Sequence, residues 1–169
     1  ILDQANAVST FAGSNTFATG TIQLRSSLAT SVGTLATNPA NFNAGADLNG
    51  VSTASGDLAI RSDDTLTLTQ AVNAPAFTVR LSSNGAMIQT GAGVITANAL
   101  GAVNVSGAAG DITLDLPNLL TAAGATPASF AAFNANTNAS GITFRNVGAY
   151  DIGTVTALNG FLGTPPGPF

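Results

Sequence analysis

An all-β fold, built as a solenoid of stacked parallel strands (a parallel β-helix) with rungs of about 20–25 residues, is what this sequence predicts. Three observations predict it. The residue types favour strands and turns over helices, apolar and polar residues alternate in short bursts, and the bursts recur at a nearly constant step. The competing architecture is an antiparallel β-sandwich of pilin type.

The composition excludes several functions at once. Charged residues are 7% of the 169, far below the roughly 25% of an ordinary soluble domain. All eight acids are Asp and all four bases are Arg, with no Glu, Lys, His, Cys or Trp. Two of the better helix formers are therefore missing, while Thr, Val, Ile, Asn and Gly suit strands and turns. A net charge of −4 gives no electrostatic footing on nucleic acid or an anionic bilayer. Mean hydropathy is +0.35, but no window approaches the ~18 uninterrupted apolar residues of a spanning helix, so membrane insertion is not expected. Zero cysteine excludes disulfides and thiolate chemistry; it fits a secreted bacterial protein that must stay unfolded during export, as it also fits many cytosolic domains. The first residues, ILDQANAVSTF, carry no basic n-region and no apolar h-region, so any signal segment is expected to have been removed or to lie outside this chain.

Along the chain, residues 1–52 are expected to form a strand or helix cap, or an assembly segment. Within them Leu24, Leu28, Val32 and Leu35 recur at helical spacing, so residues 22–36 read either as an amphipathic helix or as a strand TIQL followed by coil. Residues 53–160 hold the rungs. Leu58 and Ile60 alternate in DLAI, Leu66 and Leu68 in TLTL, and Phe77, Val79 and Leu81 in FTVRL. Val103 and Val105 alternate in AVNVS, Ile112, Leu114 and Leu116 in DITLDL, and Ile142 and Phe144 in GITF, with a weaker burst from Val155. Each burst is short and bounded by Gly, Asn, Ser or Asp, as strands between tight turns are. Asn49-Gly50, Asn84-Gly85 and Asn159-Gly160 serve as corners in a solenoid, or as hairpin turns in a sandwich. Residues 118–140 read as an insertion holding at most a short helix, with Thr126 as N-cap, Pro127 at its first position, and Phe130 and Phe133 on one face. Residues 161–169, ending TPPGPF, read as an extended tail.

The stretches IQTGAGVITANAL (88–100), GDITLDLPN (110–118), ITFRN (142–146), and DIGTV and LNG within 151–160 resemble the repeat region of filamentous-haemagglutinin-like adhesins. GDLAIRSDDTLTLT (56–69) looks like another rung of the same kind. These adhesins belong to bacterial two-partner secretion. The resemblance covers about half of the chain and implies a right-handed β-helix and an extracellular life; it implies no site. The family's N-terminal secretion module is not recognisable in residues 1–50, and 118–140 is longer than the family's pattern.

No catalytic residue is predicted. His and Cys are absent, which removes the nucleophile–base arrangements that need them. Acid–base hydrolysis needs two carboxyls at a defined separation, and the only adjacent pair, Asp63 and Asp64, would point to opposite faces of a strand and not converge unless it sits at a bend. Arg25, Arg61, Arg80 and Arg145 are scattered in sequence, with Arg80 and Arg145 expected to point outward or to sit at corners, for solubility. Asp63-Asp64 is the one metal candidate, for Ca²⁺; its bland alternative is a solvated corner closed by Asx-type turns. Neither GAGV (91–94) nor GAAGD (107–111) is followed by the Lys-Ser/Thr of a phosphate cradle, and no cofactor is expected. Thr65, Thr67 and Thr69 share one strand face. Ice-binding solenoids resemble this, but they repeat Thr pairs on successive rungs, which Met87-Gln89 and Ile112-Leu114 do not.

The expected function is that of an extracellular structural or adhesive protein, a fibre subunit or adhesin shaft segment without catalysis, secreted or held at the cell surface. Its expected partners are further copies of itself and host-cell or matrix glycans. The alternatives are a donor-strand, pilus-like filament subunit and, further off, a carbohydrate-active β-helix enzyme or an ice-binding solenoid.

Overall fold

The computed structural model describes residues 2–37, 46–105, 110–135 and 140–156. These form seventeen strands and no helix. The first three are β1 (Leu2–Asn6), β2 (Thr10–Phe11) and β3 (Gly13–Asn15). Next come β4 (Ile22–Ser26), β5 (Thr30–Val32), β6 (Thr34–Leu35), β7 (Leu48–Asn49) and β8 (Val51–Thr53). Then follow β9 (Leu58–Ser62), β10 (Leu66–Leu68), β11 (Val72–Ser83), β12 (Met87–Gln89) and β13 (Ile95–Asn104). The last are β14 (Ile112–Leu120), β15 (Ser129–Asn134), β16 (Ile142–Asn146) and β17 (Asp151–Ile152).

The chain visits three columns in a fixed order. Column A stacks β1, β4, β9, the second half of β11, the second half of β13, β15 and β17. Column B stacks β2, β5, β10, β12, the start of β14, and β16. Column C stacks β3, β8, the first halves of β11 and β13, and the end of β14. Pairing within each column is parallel. Among the described strands only β6 and β7 pair antiparallel, in a short excursion between β5 and β8. One passage through A, B and C is called a circuit below.

Register is set by the alternation of inward residues. In column A one inward row runs Ile22, Leu58, Val79, Leu100, Phe130, and a second runs Leu24, Ile60, Leu81, Ala102, Ala132. Column B contributes Val32, Leu66, Leu68, Met87, Ile112 and Leu114, and column C contributes Val51, Val72, Ala74, Ile95, Ala97 and Leu120, all to one core cluster. A parallel sheet whose three columns share one interior must curl around it. At the far end Phe130 of column A stacks on Phe144 of column B, centroids 3.9 Å apart, with Tyr150 edge-on to both. Such ring pairs add ~0.5–1.5 kcal/mol beyond the area they bury.

The step between stacked residues is 21 from Leu58 to Val79 and from Val79 to Leu100. It is 21 from Leu66 to Met87 and 25 from Met87 to Ile112. It widens to 36 from Ile22 to Leu58, where the β6–β7 excursion is inserted, and to 30 from Leu100 to Phe130. The expected step thus holds over the central circuits.

Several expectations are corrected. Of the two readings of residues 22–36 the helix fails and the strand holds as β4, while the stretch expected as coil contains β5 and β6. Leu24 and Val32 are buried, whereas Leu28 and Leu35 are 45% and 40% exposed. A corner separates the inward residues of one circuit by eight positions, and that spacing imitates helical periodicity. Residues 118–140 hold no helix among those described; β15 pairs in full with β13, so the extra length lies in the connections on either side. Phe130 and Phe133, three apart on a strand, take opposite faces, the first buried and the second exposed. In AVNVS the inward residues are Ala102 and Asn104, and Val103 points out. Leu81 of the preceding strand fixes that parity. Asn84-Gly85 joins β11 to β12 in different columns, so it is a corner and not a hairpin. Asn49-Gly50 likewise leads from β7 to β8 with Gly50 at φ +68, where Ala71 O leaves no room for a Cβ. Asn159-Gly160 and the tail at 161–169 lie outside the described residues.

Candidate functional site

Asp63 and Asp64 sit at the corner between β9 and β10, and their carboxylates are used separately. Asp63 Oδ1 accepts Arg61 Nε at 2.7 Å and its Oδ2 accepts Arg25 Nη2 at 3.2 Å. Arg25 and Arg61 are register partners on the outward face of adjacent column A strands, so one carboxylate serves two guanidiniums. Asp64 Oδ1 accepts the Thr65 amide at 2.6 Å, an interaction that closes the corner locally. A carboxylate already paired with two arginines is a poor ligand for a cation, and its neighbour is turned to the backbone. Among the described residues no group of three Asp, Glu, His or Cys side chains converges.

Three of the four arginines are not scattered in space. Arg80 does point outward, but it is only 7% exposed, so it is covered rather than a solubilising residue. Its Nη1 donates to Asp57 Oδ2 at 2.6 Å, and Asp57 Oδ1 in turn accepts the Thr78 amide at 3.1 Å. Arg25, Arg61 and Arg80 thus line the outer face of column A over three successive strands. Arg145 of column B remains exposed.

Two inward polar ladders hold the corners, and sequence reasoning missed both. Ser26, Ser62, Ser83, Asn104 and Asn134 occupy one register position at the end of successive column A strands. Ser62 Oγ donates to Leu28 O of the circuit below and lies 3.0 Å from Thr65 O of its own. Asn104 Nδ2 reaches Gly85 O below and Gly110 O in its own circuit, and Asn134 Nδ2 repeats this with Gly110 and Gly141. The second ladder is at the B-to-C corner. Asn118, fully buried, accepts the Ile95 amide at 2.9 Å and Gln89 Nε2 at 2.6 Å on Oδ1. Its Nδ2 donates to Leu114 O and Arg145 O, each at 3.0 Å, and Asn146 Oδ1 accepts the Leu120 amide at 2.7 Å. These side chains satisfy corner amides and carbonyls that strand pairing leaves over. The signal was present as a Ser or Asn two residues after an inward apolar position, in IQLRS, LAIRS, VRLSS, LGAVN and FAAFN.

The outward face of column B carries a single file of side chains, one per strand: Thr10, Ser31, Thr67, Ile88, Thr113 and Thr143. Five of the six bear a hydroxyl, at the ~4.8 Å spacing of adjacent strands. Thr65 and Thr69, grouped with Thr67 in sequence, belong to the corners: Thr69 Oγ1 donates to Val32 O at 2.9 Å. The propagated element is therefore the middle residue of each column B tripeptide. Aligning TSV, LTL, MIQ, ITL and ITF exposes it.

A scan of protein-family models, a search of curated proteins and a search of solved structures each found no match to this chain.

Proposed function

We propose that the chain is a segment of a secreted structural or adhesive protein, folded as a right-handed parallel β-helix. It acts without catalysis, through its outer faces and by association with further copies of itself. The observation that carries this is the parallel stacking of three columns about one core at a recurring step near 21 residues. Right-handedness follows from the crossover rule, obeyed by about 98% of parallel connections. The likeness of residues 85–160 to filamentous-haemagglutinin-like repeats supports the extracellular setting. The neutral hydroxyl file of column B suits hydrogen bonding to host or matrix glycans. Among the described strands β1 and β17 each have one paired neighbour, and such edges are templates for strand addition by another chain.

Negative-stain electron microscopy over a range of concentrations tests the self-association. Filaments with an axial period that is a whole number of ~4.8 Å layers are expected. Separate short particles at every concentration refute the fibre-subunit role.

A further inference from the structure

We propose that Gly153–Thr156 is a latch that braces β15, β13 and β11 of column A against opening one by one. It deepens the shaft function proposed above and rests on that reading for its purpose, while its mechanics stand on contacts of their own. Within the described residues the chain after β17 does not enter column B. The Gly153 amide completes the β15–β17 ladder on Phe130 O at 3.0 Å. The chain then turns back across the outer face of column A onto the two strands that precede β15. Val155, 3% exposed, seats against Gly101 of β13: a Cβ built at Gly101 falls 3.1 Å from Val155 Cγ1 and 3.4 Å from its Cβ. Arg80 Nε of β11 then donates to Thr156 O at 2.5 Å.

The reach fits an extended segment without slack. Three strands span two steps of ~4.8 Å, and three residues of extended chain cover about 10 Å. The receiving surface is built by earlier circuits. Gly101 supplies a notch by having no side chain, and Asp57 holds Arg80 from its other end. The strand registers of column A join only immediate neighbours. A stack of that kind loses its terminal layers one at a time. A segment that grips β15, β13 and β11 together makes their opening a joint event.

The absence of native cysteine allows a direct test. In a Gly101→Cys/Val155→Cys variant the Cβ atoms stand near the ~3.5–4.5 Å that a disulfide requires. Oxidation is expected to give an intramolecular bond, monomer-sized on a non-reducing gel. Amide exchange in β15 and β17 should then slow at least ~10-fold relative to the reduced form. Val155→Ser, at a buried position outside the interior cluster, should speed exchange of the same amides ~10-fold and leave β4 and β9 unchanged. Failure to close within one chain, or exchange in β15 and β17 indifferent to either change, refutes the latch. Absence of filaments refutes the shaft function and leaves these exchange results standing.

Discussion

At the scale of single residues, buried polar groups divide into those that are used and a few that are not. Asn118 has a partner for both ends of its amide and links three circuits. Truncation to Ala strands the Ile95 amide and two carbonyls in the interior, so a loss of about 2–4 kcal/mol is expected by chemical denaturation. Ser82 is the opposite case: fully buried on the outer face of column A, its Oγ has no hydrogen-bond partner. Ser82→Ala removes an unsatisfied hydroxyl and is expected to raise stability by about 1 kcal/mol. The inward leucines at 58, 66 and 68 were legible because they alternate with polar residues. Val103 was not, because both faces of that strand are covered and alternation then carries no sign. The corner ladders were hidden for a related reason. Ser and Asn are ordinary turn residues, and only stacking distinguishes an inward corner Asn from an exposed one.

At the scale of elements, the three-residue strands of column B separate interior from surface most cleanly. Leu68 lies in the core and Thr67 faces out one position away. Leu68→Ala is expected to cost about 2–5 kcal/mol through lost burial and a residual cavity. Thr67→Val, the same size and β-branched, should stay within about 0.5 kcal/mol. Equal losses in denaturant midpoint for the two would mean that the parity is wrong. The strands were readable from sequence as elements, while their boundaries with the corners were not. Residues 22–36 show why: four apolar residues fit a helix by spacing, and the structure puts two of them inside and two outside. The short strands and their corners produced that spacing, and helix propensity had no part in it.

At the scale of the whole molecule, the constant step makes a circuit a unit that can be removed. Deletion of residues 79–99 joins Thr78 to Leu100, and each inward residue of the next circuit meets a partner of the same parity below it. The Val72 amide then stands where the Ile95 amide stood for Asn118. The shortened chain is expected to melt in a single cooperative transition, checked by calorimetry. Deletion of residues 79–88, half that length, should leave it without one. The parallel all-β class and the step were thus open to inference from sequence, through the recurrence of bursts. The return of the chain across column A was not, because Val155 looks like the start of one more strand and nothing local marks a reversal.

The file of outward residues in column B has a consequence for how such a molecule changes over time. Each strand there contributes one letter to the visible face and none of those letters enters the core cluster. Drift at Ser31, Thr67, Ile88, Thr113 or Thr143 can therefore respell what the molecule presents, position by position, on a scaffold that need not adapt. Under the adhesive role proposed above, selection on recognition and selection on folding would fall on different sites, so each could proceed without waiting for the other.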